Sequence, residues 1–123
     1  MKKYLLIVLF SFSSFYVYSQ SPELWGTMQV GGPFGIGSIV RIHGDGSGFE
    51  RVYSFSTGSP WCTLLPSGSS LIYGMTVSGG SHSLGDIFSY NSSSGAFTSL
   101  FSLDSMNGYY PHGNLVMASD NKL

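Results

Sequence analysis

Residues 72–91 read IYGMTVSGGSHSLGDIFSYN, and a stretch of the same build, LWGTMQVGGPFGIGSIVRIH, occupies residues 24–43. Superposed at an offset of 48 residues, the two match Gly26 with Gly74, Gly31 with Gly79, Gly32 with Gly80, Gly37 with Gly85 and Ile39 with Ile87. Each is an apolar run, a Gly-Gly reversal and a second apolar run. Glycine supplies the positive φ of a tight turn, while β-branched and aromatic residues fit a pleated surface. Both stretches therefore read as strand–turn–strand. An internal period of about 40 to 50 residues belongs to propellers and related arrays.

Outward from these two stretches, each unit adds two further strands. In the first unit, strands are expected over residues 24–30, 36–43, 49–55 and 61–65. Gly31-Gly32-Pro33 makes the first turn, the glycine-rich loop at 44–48 a hairpin, and residues 66–70 a turn into the next unit. Within 49–55, simple alternation puts Phe49, Arg51, Tyr53 and Phe55 on one face and Glu50, Val52 and Ser54 on the other. The second unit repeats the order with strands over 71–78, 84–90, 96–103 and 114–118. Phe49 matches Phe97, Tyr53 matches Phe101 and Ser54 matches Ser102. The loop at 104–113 is three residues longer than its counterpart, so Leu64-Leu65 falls on Leu115-Val116. Four short strands per unit is the arithmetic of a propeller blade. The expected fold class is all-β, a β-propeller-like tandem repeat of about two four-stranded blades, with no helix in the mature chain.

The N-terminus has the pattern of an export signal. Lys2 and Lys3 precede a seven-residue apolar run at 4–10, and residues 11–19 turn small and polar. Val17 and Ser19 suit positions −3 and −1 of a cleavage after Ser19. The run is far short of the roughly 20 residues that a membrane span needs. The expected organisation is a signal peptide at 1–19, repeat unit one at 20–70, unit two at 71–122 and the start of a third at Leu123. The expected localisation is secreted, extracellular or at the cell surface.

Beyond the signal, Arg41, Arg51 and Lys122 face Glu23, Asp45, Glu50, Asp86, Asp104 and Asp120, a net charge of −3. A sparsely charged, weakly acidic surface lacks the electrostatic footprint for nucleic acid or anionic lipid. The 17 glycines, the many serines and an aromatic content of 15% fit an exported all-β domain with many turns. Cys62 is the one cysteine. It cannot form an internal disulfide, and it reads as a small residue buried in the apolar run at 61–65.

Residue by residue, the second unit resembles the GloVer tandem repeat of secreted bacterial proteins of the choice-of-anchor type. The resemblance is carried at the end of the unit by Gly113-Asn114-Leu115-Val116, Ser119-Asp120 and Leu123. At its start it is carried by Tyr73-Gly74, Thr76, Gly79-Gly80, Gly85, Phe88 and Leu100-Phe101-Ser102-Leu103. Unit one departs from the pattern, with Trp25 for the tyrosine, Met28 for the threonine and Pro66-Ser67-Gly68 at the Ser-Asp turn, as suits an edge unit. The resemblance implies a secreted, propeller-like array of many units. It implies no established activity.

Two blades do not close a ring of four to eight, and each unit hides its apolar face only against neighbours. The chain is accordingly expected to be the N-terminal part of a longer protein. The alternative is a short product whose exposed faces assemble with other copies. Expected partners are further blades of the same chain, self-association, or an extracellular protein or glycan.

The residues that could carry chemistry do not converge. His43, His82 and His112 stand at unrelated repeat positions and fit no zinc spacing. Asp45, in HGDGSG, lacks the further oxygen ligands of a calcium loop. Asp86 and Asp104 are the carboxylates open to a glycosidase role, which needs two across a cleft. Gly35-Ile36-Gly37 is no dinucleotide site, since strands flank it. Trp25, Tyr73, Trp61, Tyr109 and Tyr110 read as packing between blades. A second reading makes Trp61 and the pair Tyr109-Tyr110, taken as equivalent in the two units, a stacking platform for sugar rings. No catalytic, cofactor-binding or metal residue is assigned. The expected role is interaction or surface structure without catalysis. The alternative is part of a propeller enzyme or carbohydrate-binding module acting on extracellular polysaccharide, its active residues beyond this chain.

Overall fold

The computed structural model describes residues 22–123; the expected signal peptide and cleavage site lie outside the described residues. Seven strands form two antiparallel sheets, and the described residues contain no helix. The first sheet has the order β1-β2-β3: β1 (Glu23–Met28), β2 (Ser38–His43) and β3 (Glu50–Ser54). The second has the order β4-β5-β6-β7: β4 (Leu65–Ser67), β5 (Leu71–Thr76), β6 (Asp86–Asn91) and β7 (Phe97–Ser102).

The repeat is present in the backbone at the same offset of 48. The Gly31-Gly32 and Gly79-Gly80 turns all have positive φ, and Gly37 N–H bonds to Gly31 O at 3.0 Å as Gly85 N–H does to Gly79 O at 3.1 Å. Phe55 N–H donates to Gly37 O as Leu103 N–H donates to Gly85 O. Gly37 (φ 124°) and Gly85 (φ 117°) are required as glycines. A Cβ at either would lie 2.2 Å from Met28 O or 2.7 Å from Thr76 O, and Met28 and Thr76 are themselves repeat equivalents.

A β-bulge recurs too. Val52 is the extra residue opposite Ile39 and Val40, and Leu100 the extra residue opposite Ile87 and Phe88. Each bulge reverses the facing of its strand. Tyr53 lies opposite Ile39 while Arg51 lies opposite Val40, so Tyr53 and Arg51 point to opposite faces. The expectation of one face for Phe49, Arg51, Tyr53 and Phe55 is thereby corrected: a bulge inserts one residue into the period-two pattern, and alternation cannot show where.

The core lies between the two sheets. Ile39, Phe55, Leu64, Ile72, Phe88 and Tyr90 are buried, with Trp25, Ile36, Val52, Tyr53 and Phe97 packed against them. The first sheet presents Trp25, Ile39 and Tyr53, and the second presents Ile72, Phe88, Tyr90 and Phe97. The contact is an aromatic stack. Tyr53 lies parallel to Phe97 at 4.5 Å, Phe88 stacks on Phe97 at 5.0 Å, and Phe55 meets Phe88 edge-on at 5.6 Å. Such pairs add roughly 0.5–1.5 kcal/mol each beyond area burial. Phe88 fits only because its neighbour across the ladder is Gly74, where a Cβ would come within 2.4 Å of the ring.

Two expected strands need correction. The fourth strand of unit one is β4, at Leu65–Ser67 rather than 61–65, and it belongs to the second sheet, pairing Leu65 with Tyr73. Pro60 bridges Thr76 while Leu65 opposes Tyr73, so residues 61–64 span the space opposite only Gly74 and Met75. Four residues cannot ladder against two, and this segment bulges from the sheet. The second correction is at residues 114–118, which form no strand. β4 exists because β5 stands beside it, and no described segment occupies that place beside 114–118.

Candidate functional site

The bulging segment at 61–64 lines a small polar cleft of about 280 Å³, closed on the other side by His112 and Asn114 and floored by Thr27 and Gln29. Counting the three extra residues of the second loop, Trp61 is the repeat equivalent of His112, and Thr63 that of Asn114. The two units thus meet through like positions. Trp61 and His112 are edge to face at 4.9 Å, and Thr63 N–H donates to Asn114 Oδ1 at 2.9 Å. Thr27 Oγ1 donates to Cys62 O at 3.0 Å, and Ser59 Oγ donates to Gln29 O at 2.7 Å. Trp61 remains 52% exposed, which leaves one lip of the cleft a flat apolar ring.

Cys62 is half-buried rather than part of a strand, and its Sγ accepts the Met75 N–H at 3.1 Å. Burial pushes its thiol above the ordinary range, which keeps it protonated and a weak nucleophile. The cleft presents the Trp61 ring together with polar groups of Thr27, Gln29, Thr63, His112 and Asn114.

A second depression, about 400 Å³, runs along the sheet junction by Glu23, Trp25, Leu64, Leu71, Ile72 and Ser92. Its carboxylate is engaged, Glu23 Oε1 lying 3.3 Å from Arg41 Nη1. Arg41 also holds Glu50 Oε2 at 2.7 Å and lies over Trp25 at 5.9 Å.

The remaining polar candidates are distributed. Asp45 Oδ1 accepts Ser47 N–H and Ser47 Oγ–H inside its own hairpin, which holds the carboxyl below its usual range. Asp104 Oδ1 likewise accepts the backbone N–H groups of Asn107 and Met106, with the same direction of shift. Both are turn-shaping interactions. Asp86 is buried under the Gly79-Gly80 turn, accepting Ser102 Oγ–H at 2.8 Å, and its equivalent Ser38 is buried with no partner for its hydroxyl. Neither Asp86 nor Asp104 lines either of these two clefts. Among the described residues no cluster of three or more His, Cys, Asp or Glu could hold a metal ion.

The aromatic candidates divide. Trp25 packs on the core and meets Tyr90 at 6.2 Å. Tyr109 and Tyr110 meet each other edge-on at 5.2 Å, whereas Trp61 meets His112, so Trp61 and the tyrosine pair are not equivalent. Sequence reasoning missed His112 and Asn114 as partners of Trp61 and Thr63. The signal was the three-residue insertion, which shifts the match at this point from 48 to 51 residues.

Two face-packed antiparallel sheets that reproduce one another's turns, bulges and hydrogen bonds define an all-β tandem-repeat protein. The model of the Gloeobacter/Verrucomicrobia repeat matches residues 11–123, and the chain belongs to that family. No curated protein matches the chain, and neither does any solved structure.

Proposed function

We propose that this chain is a propeller-type repeat module, exported to the cell surface or the medium, with an interaction or structural role and no catalysis of its own. One observation carries the reading. Equivalent backbone features recur every 48 residues in two sheets that stack through unlike faces, which is how blades are added in an array. The basic start, apolar run and small-residue segment at 1–19 supply the argument for export. Carboxylates tied up in turns and ion pairs favour binding over hydrolysis.

A specific observation supports glycan as a ligand class. The half-exposed Trp61 ring, in a cleft lined by Asn114, Thr63 and Gln29, suits a sugar face flanked by hydroxyls. The test uses the protein exported by its producing cells. The reading expects cleavage of the chain by protease added to intact cells, or its recovery in the medium. It also expects retention on one member of a polysaccharide panel without release of reducing sugar. Trp61→Ala should weaken that retention by about five- to 150-fold, taking the roughly 1–3 kcal/mol of a base stacked on an aromatic side chain as the scale for a lost ring-stacking contact. A protease-protected intracellular chain would overturn export, and reducing-sugar release would overturn the non-catalytic reading. Retention unchanged in Trp61→Ala would remove Trp61 from the role.

A further inference from the structure

The two sheets stack through unlike faces, and each sheet also turns one face outward. On the first sheet the buried face carries Trp25, opposite Arg41, and Ile39, opposite Tyr53. The equivalent face of the second sheet carries Tyr73, Ile87 and Phe101, and no sheet of the described residues lies against it; Phe101 is 47% exposed. Conversely, the second sheet receives the first with Ile72, Tyr90 and Phe97. The equivalents of those residues, Leu24, Ile42 and Phe49, form the outer face of the first sheet, and Leu24 and Phe49 are 57% and 59% exposed. The described residues therefore present, on one side, the same donor surface that the interior junction uses, and on the other the same acceptor surface.

We propose that these two outer faces bind one another between copies of this chain, head to tail. The Phe101 face of one molecule seats on the Leu24–Phe49 face of a second. This inference rests on the stacked-unit reading above and extends the interior junction outward by one sheet. Phe101 stacks on Phe49 of the second copy as Tyr53 stacks on Phe97 within the chain. The side chains between them are compatible. Where Arg41 and Glu50 stand on the interior donor face, the outer one has Ser89 and Thr98, so no charge is buried from that side. Arg51, the charged residue on the acceptor face, lies on the edge strand β3 and is exposed. The stack also brings the open edge of β1 beside residues 114–118, as β5 stands beside β4. Lys122 and Leu123, turned back by the Ala118–Lys122 hydrogen bond, are the residues that have to move aside.

A heterologous contact of this kind either closes into a ring or grows as a filament.

The test is sedimentation equilibrium of the exported wild-type chain and of two variants, Phe101→Lys and Phe49→Lys. The first lacks a donor face and keeps the acceptor; the second is the reverse. Wild type should rise in mass with concentration to at least about twice the monomer. Each variant alone should stay monomeric, and an equimolar mixture should form a dimer that grows no further. A wild-type chain monomeric at all concentrations overturns the proposal, leaving export and glycan retention to judge the functional reading separately. A variant that self-associates like wild type, or a mixture that stays monomeric, overturns it as well. Melting of each variant at dilution verifies folding. Should a lysine lower it, Phe101→Ser and Phe49→Ser replace the pair with the same expected outcomes.

Discussion

At the residue scale, identical amino acids at equivalent repeat positions carry different loads. Gly74 and Gly26 occupy the same place in their strands, yet a Cβ at Gly74 meets the Phe88 ring at 2.4 Å, whereas one at Gly26 meets nothing within 4 Å. Gly74→Ala should therefore destabilise by about 1–3 kcal/mol through overpacking. Gly26→Ala should be neutral or stabilise by about 0.4–1 kcal/mol, because it restricts the unfolded chain. Urea unfolding of both variants checks this, and equal costs would mean that the ring in fact relaxes out of the way. Acid behaviour belongs to this scale as well. Asp104 and Asp45 have carboxyls held below their usual range chiefly by backbone N–H groups. A depressed folded value adds stability above the unfolded carboxylate pKa near 3.9, and that stability is lost as pH falls through the lower folded value. Melting temperature should accordingly fall on acidification below about pH 4. Asp104→Asn should flatten part of the decline, with little change at neutral pH beyond the loss of the turn bonds. Thermal melts between pH 2 and 7 decide it.

At the element scale, the strand is defined by its neighbour as much as by its own residues. Tyr53 and Phe101 are equivalent aromatics in equivalent strands with the same bulge behind them. Tyr53 stacks on Phe97 and meets Phe55 edge-on, while Phe101 is half in solvent. Tyr53→Ala should cost about 2–4 kcal/mol, in the range of large-to-small core changes. Phe101→Ala should cost within about 0.5 kcal/mol, as surface changes do. Denaturant midpoints at micromolar protein, where association is minimal, measure the difference; equal costs would mean that the second sheet's outer face is packed in solution. The same logic explains residues 114–118, which have the composition of a strand and no ladder to join among the described residues. It also explains why β4 belongs to the second sheet although the repeat boundary lies after it.

At the scale of the whole molecule, two sheets share one aromatic core, so they should melt as one unit. Head-to-tail association would make that melting temperature rise with concentration by mass action. Much of this was legible in the linear chain. The 48-residue offset, the glycine turns and the β-branched and aromatic runs were enough for an all-β repeat and for the first three strands of each unit, because turn geometry and pleat are local consequences of residue type. Pro66 and Ser67 favour a turn by residue type, and β5 overrides that preference by offering a ladder. The bulges at Val52 and Leu100 lay beyond local reading for the same reason, since an extra residue is defined only against the strand opposite. So did the cleft, where Trp61 finds His112 across a loop whose length, not whose composition, sets the match. Composition and period determine which residues can form strands. Which strand each one joins, and which aromatic face is covered, depends on contacts between positions tens of residues apart, and only the folded chain holds those.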